Sequence, residues 1–174
     1  MDRHGRVDGL VINAGASFHV RLEEIDPVAY LELLNLNVVS AVTALQAVLP
    51  VMRKQHFGRI VAVSSDTTRV APPGAAGYAA SKAAMNMLAE VARKDFADDG
   101  IEVSLVLPSV TATEFAGGRL LPGAPAAASA LRPGMVLHSA EYVGRVILRA
   151  LRTGEQRIDI PHGPELPELT EPAP

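Results

Sequence analysis

Three short apolar runs punctuate the chain, and each one stops at a residue that marks the end of a strand. Residues 7–12 stop at Asn13, residues 59–64 at Ser65, and residues 101–107 at Pro108. Each run reads as a buried strand entering a turn. Helical stretches separate them. Asp26 is placed to cap a helix with Pro27 in its first position, and the pattern continues to about Gln55 with a break near Asn35 to Asn37. Val38, Val42, Leu45, Leu49 and Met52 share one face of its second part. Residues 66–77 read as a loop containing proline and glycine. A helix then runs from Tyr78 to Asp98, stopped by Gly100 in the position a C-terminal cap needs. Residues 117–133, rich in glycine, alanine and proline, read as a mobile loop or lid. Ser139 caps a last helix to about Arg152 with Glu141 in its first turn, and residues 157–160 form a weak final strand. Strands alternating with helices imply an α/β fold with a parallel sheet and right-handed crossovers. Ligands of such sheets lie beyond the carboxyl ends of the strands. Asn13, Ser65 and Pro108 should therefore converge on one cleft.

Composition excludes several classes of function. The 174 residues are 48% hydrophobic and 20% charged, with a net charge of −3 and no cluster of lysine or arginine. No nucleic-acid partner is expected of such a chain. The absence of cysteine removes disulfides, thiolate catalysis and thiolate metal sites. His4, His19, His56, His138 and His162 show no ligand spacing, so no metal is assigned. The twenty uncharged residues from Leu33 to Met52 include Asn35, Asn37, Ser40, Thr43, Gln46 and Pro50. A span would carry those polar groups into lipid, so a buried helix is expected and no membrane partner. No signal peptide is read at the start, and a cytoplasmic location is expected. One domain is expected over residues 1–160. The tail, residues 161–174, holds five prolines and three glutamates and is expected to be disordered.

Chemistry concentrates at Tyr78 and Lys82, four residues apart and so on one face of a helix. A phenol of pKa ~10 is a poor base at neutral pH. A nearby ammonium favours the phenolate and makes proton exchange with an alcohol or carbonyl feasible. Ser65 can hold the substrate oxygen beside the phenol. Taken alone, a Y-x-x-x-K pair is more often a half-buried aromatic and a solvated lysine. Asn37 alone can be a polar residue satisfying a helix break, and Asn13 a turn residue.

The surrounding motifs change that weighting. Asn13-Ala14-Gly15 comes first, then Asn37 ahead of Leu49-Pro50, then Gly58-Arg59-Ile60-Val61 leading to Ser64-Ser65. Pro72-Pro73-Gly74 precedes Tyr78-Ala79-Ala80-Ser81-Lys82, and Pro108 and Thr113 follow. In this order and spacing, the chain from about Asp8 to Arg152 resembles the short-chain dehydrogenase/reductase family. The resemblance implies the C-terminal portion of a Rossmann-type doubly wound parallel sheet. It implies NAD- or NADP-dependent interconversion of a secondary alcohol and a carbonyl on a small molecule. By the same resemblance Tyr78 is the general acid/base, Ser65 orients the substrate oxygen, and Lys82 lowers the phenol pKa and hydrogen-bonds the nicotinamide ribose. Asn37 would hold a relay water through its backbone. Asn13, Ala14 and Gly15 would line the adenosine side of the cofactor cleft, with Pro108 and Thr113 at the nicotinamide. Homo-oligomers would form through the helices from Asn37 to Met52 and from Tyr78 to Asp98. A non-catalytic fragment acting only as a dimerisation or interaction module, and a lyase or epimerase on the same fold, remain as alternatives.

The chain departs from the family pattern in several places. Ile12-Asn13 replaces paired asparagines, Ser109 stands where a glycine follows the proline, and Asp66-Thr67-Thr68 replaces a small Ala-Gly pair and makes that wall more polar. The first strands and the T-G-x-x-x-G-x-G loop between strand and helix do not occur in this sequence. The strand ending at Ile12 should therefore be a sheet edge, with apolar surface uncovered beside it, and dinucleotide binding by this chain should be weak.

Overall fold

In the computed structural model, which describes residues 4–113, 115 and 136–170, the three apolar runs become β1 (Gly9–Ile12), β2 (Gly58–Val63) and β3 (Ile101–Leu107). Short strands β4 (Thr111–Ala112), β5 (His138–Ser139) and β6 (Arg157–Asp159) follow. The helices are α1 (Pro27–Leu34), α2 (Ser40–Gln55), α3 (Thr67–Val70), α4 (Ala76–Asp95) and α5 (Ala140–Thr153). The main sheet has the order β1-β2-β3-β6, parallel throughout, with Leu10 opposite Ile60 and Ala62 opposite Leu105. This is the expected half-sheet paired with itself. Among the described residues β1 is its edge, and Val11 is 39% exposed there.

Both faces of the central strands are covered, which is why their sequences run nearly continuously apolar. Successive side chains point to opposite faces. Ile60 and Ala62 pack with Met52, Met85 and Ala89 from α2 and α4, whereas Val61 and Val63 pack with Tyr142, Val146 and Ala150 of α5.

Caps fix the helix starts. The Asp26 carboxylate accepts a hydrogen bond from Val28 N at 3.0 Å, and the Ser139 hydroxyl accepts one from Tyr142 N at 3.1 Å. The expected break near Asn35 is a π-turn over Asn35–Val39 that joins α1 to α2 without interruption. The joined helix, Pro27–Gln55, has the length and apolarity to cross a membrane. Only 11% of its most apolar stretch is buried, so the buried helix expected from the sequence is largely a surface helix, anchored through Leu33, Asn37, Ala41 and Met52.

Several boundaries differ from the sequence expectation. Residues 66–77 are not all irregular: the Asp66 carbonyl accepts from Arg69 N and Val70 N and winds α3. The long helix begins at Ala76 rather than Tyr78, and its α-helical part ends at Asp95, ahead of a 3-10 turn over Ala97–Asp99. Residues 161–170, expected to be disordered with the rest of the tail, pack against α5. The Tyr142 hydroxyl donates to Leu166 O at 3.2 Å and accepts from Leu166 N at 3.0 Å, while Ser139 donates twice to Glu165. Side chains of α5 thus satisfy backbone that proline keeps out of a sheet. The lid expected over residues 117–133 lies outside the described residues.

Gly100 carries φ +72°, and a Cβ there would run into the His56 carbonyl. Gly144, in α5, has no atom within 4 Å of a Cβ position. Gly100→Ala should cost about 2 kcal/mol or more in denaturant unfolding. Gly144→Ala should stabilise by about 0.5–1 kcal/mol.

Candidate active site

The segment after β1 is fixed by one buried amide. Asn37, fully buried in the π-turn, accepts from Ala16 N at 2.8 Å and donates to Ala16 O and to Ser81 Oγ, both at 2.9 Å. Phe18, two residues on, is buried, and a Cβ on Gly77 of α4 would strike its ring. Together these contacts press Gly15 against the site. A Cβ on Gly15 would lie 3.2 Å from Asn37 Oδ1 and 3.6 Å from Lys82 Nζ. The side chain of Asn37 is thus committed to protein partners.

A cleft of about 920 Å³ opens beyond the carboxyl ends of β1, β2 and β3. Asn13, Gly15, Ser65, Tyr78, Lys82, Pro108 and Thr113 all line it. Asn37 stands behind the wall, and Ala14 is exposed outside the cleft lining. Convergence of three strand ends is the outcome the alternation of elements predicted. Pro108 ties the ends together, its carbonyl accepting from Asp66 N at 3.0 Å.

Lys82 is buried on α4 and donates from Nζ to Val63 O at 2.9 Å. Burial pushes its pKa from 10.5 down to about 8. An ammonium has three donors, and those not taken by Val63 stand beside Gly15 and the Tyr78 ring, whose centroid is 5.9 Å away. Tyr78 is half-buried and rests on Phe115, ring centroids 5.7 Å apart. Its phenol is pushed up to about 12, chiefly by burial and further by the Asp66 charge, with the Ser65 hydroxyl pulling the other way. The lowered phenol expected from the Lys82 spacing is therefore corrected: desolvation outweighs the lysine, whose proximity does not emerge as a cause. Ser65 is buried, and its oxygen also accepts from Thr67 Oγ1 at 3.0 Å.

Three further residues at the site were given no catalytic or binding role from the sequence, although Asp66 was read there as making the wall more polar. Ser81 partners Asn37 and donates to Tyr78 O at 2.7 Å; its one signal was a serine inside an alanine-rich helix. His138 is fully buried, bridging Ser109 Oγ at 2.9 Å and Gly163 O at 3.0 Å. Asp66 lines the cleft, with His162 Nε2 at 2.7 Å from its Oδ2. No metal-holding group of histidine and carboxylate side chains occurs among the described residues.

A half-sheet with tyrosine, lysine and serine gathered at its strand ends defines a Rossmann-like site of the Y-x-x-x-K kind. Residues 1–120 match the sequence model of the short chain dehydrogenase family. The chain belongs to that family. It is 34% identical over 161 residues to a cyclopentanol dehydrogenase of a Comamonas species, covering 92% of this chain and 64% of that protein. Among solved structures, a short-chain dehydrogenase from Streptomyces avermitilis aligns over 97% of this chain and 65% of its own, with a TM-score of 0.77 and 26% identity. A Burkholderia cenocepacia short chain dehydrogenase in complex with NADP aligns over 92% and 62%, with a TM-score of 0.76 and 26% identity. The chain spans 43% of the length of one curated relative, an oxidoreductase of Botryotinia fuckeliana, and 64% of the Comamonas protein.

Two outcomes follow from this geometry. Asn37→Ala should cost on the order of 2–4 kcal/mol, because it strands the Ala16 backbone groups in a buried place; chemical denaturation measures it. Lys82 holds its proton less tightly folded than unfolded, so stability should rise as pH climbs from about 8 to 10.5. The rise should be absent in Lys82→Met, as read by unfolding midpoints across that range.

Proposed function

We propose that this chain carries the acid/base half of an oxidoreductase that interconverts a secondary alcohol and a carbonyl with NAD or NADP. The observation that carries the reading is the meeting of Ser65, Tyr78 and Lys82 in one cleft at the strand ends. In the reducing direction Ser65 hydrogen-bonds the carbonyl oxygen. Tyr78 is protonated at neutral pH and gives its proton to that oxygen as the alcohol forms. In the oxidising direction the phenol must lose its proton, which its raised pKa opposes. The nicotinamide group, when bound, supplies or accepts the hydride.

The residues present fit part of such a cofactor. The spare donors of Lys82, beside Gly15, suit ribose hydroxyls, and Asn13, Pro108 and Thr113 line the same cleft. The sequence holds no T-G-x-x-x-G-x-G loop to cradle a diphosphate, so the 174-residue chain should bind dinucleotide weakly. The likeness to a cyclopentanol dehydrogenase and to a short chain dehydrogenase in complex with NADP supports the reading. A homo-oligomer in the cytoplasm belongs to the same proposal: α4 leaves Met87 and Val91 exposed, and Val39 is exposed just ahead of α2, as surfaces that await a partner do.

Tyr78→Phe should lower turnover at saturating dinucleotide by ~10²–10⁴ while leaving the circular dichroism spectrum unchanged. Equal rates for the two proteins would defeat the proposal.

A further inference from the structure

One buried side chain at the cleft has no task in the chemistry above. Asp66 is 6% exposed and lines the cleft directly after Ser65. A buried carboxylate needs donors; burial pushes the Asp66 pKa up, against the nearby charges of His162 and Arg69. Its Oδ2 receives no aligned hydrogen bond. Against that oxygen stands His162 Nε2 at 2.7 Å, carried on an exposed side chain of the segment that packs on α5. Arg69 contributes charge nearby, and the cleft around it mixes apolar side chains such as Val70, Phe115 and Ile147 with the hydroxyls of Ser65, Thr67 and Thr111. A buried charged acceptor discriminates strongly, because a ligand that displaces His162 without bringing a matching donor leaves it unpaired.

We propose that Asp66 determines specificity by selecting substrates with a hydroxyl donor close to the reacting carbon, and that His162 fills the place of that donor until substrate arrives. The inference rests on the oxidoreductase reading for which oxygen reacts. Ser65 and Asp66 are consecutive, and both line the cleft with Tyr78. Neighbouring residues stand about 3.8 Å apart along the backbone, so the reacting oxygen held at Ser65 and a donor held at Asp66 sit close together. That span suits hydroxyls on adjacent or next-adjacent carbons and excludes a donor at the far end of a long substrate.

The test uses binding rather than turnover. The 174-residue chain is titrated by NMR with a vicinal cyclohexanediol and with cyclohexanol, following the Tyr78 and His162 ring signals. The diol should bind about tenfold tighter than the mono-alcohol, as a hydrogen bond to a charged acceptor implies. Asp66→Ala should erase that preference, and His162→Ala, at an exposed position, should tighten diol binding several-fold. Equal affinities, no binding of either alcohol, a preference that survives Asp66→Ala, or no gain in His162→Ala would each overturn the proposal. Diol preference in a chain without Tyr78-dependent turnover would instead sink the oxidoreductase reading and leave this one standing.

Discussion

The Asn37 carboxamide joins three parts of the fold: the loop after β1, the π-turn between α1 and α2, and α4. Its three hydrogen bonds are made in a place with no water to substitute for them, so the alternative to making them is three unsatisfied buried groups. The π-turn is what lets an asparagine face inward within an otherwise continuous helix. Once that amide is seated, Gly15 is held close to Lys82, and the helix face carrying Tyr78 and Lys82 is fixed relative to the ends of β1 and β2. The position of every group in the cleft refers back to this contact.

Burial then sets the proton inventory of the cleft. One cause, exclusion of water, acts in opposite senses on the two helix residues: it keeps the proton on Tyr78 and loosens the one on Lys82. At neutral pH the cleft therefore presents a neutral donor and a cation held by a strand carbonyl. That arrangement is pre-set for giving a proton to an oxygen and for receiving hydroxyl-rich groups. Among the described residues, Asp66 is the carboxylate on the wall.

Much of this was legible in the residues themselves. The apolar runs, the caps at Asp26 and Ser139, the break at Asn35–Asn37 and the convergence of three strand ends all follow from local patterns, and local patterns survive folding here. What could not be read locally was what each polar side chain would meet. Ser81 and Asn37 are partners across forty-four residues, and His138 finds Ser109 and Gly163 only after the sheet has formed. The direction of the Tyr78 shift was misjudged for the same reason: the spacing to Lys82 is visible in sequence, but the depth of burial is not. The tail misled because its proline and glutamate content resembles disorder, although Tyr142 and His138 meet its backbone and Ser139 holds its Glu165 carboxylate.

The way that tail is fastened sets how it can come off. Between Gly163 and Leu166 its contacts run to the side chains of His138, Ser139 and Tyr142, not to a strand ladder. It can therefore peel away as a unit while the four-stranded sheet keeps all of its pairing. Openings of that kind lie at the low end of the free-energy range for local unfolding. A protease should thus find residues 161–170 before it finds anything else in the sheet or its helices. A chain nicked there would keep its core yet lose His162 from Asp66, leaving a cleft with the same shape and a different charge on its wall.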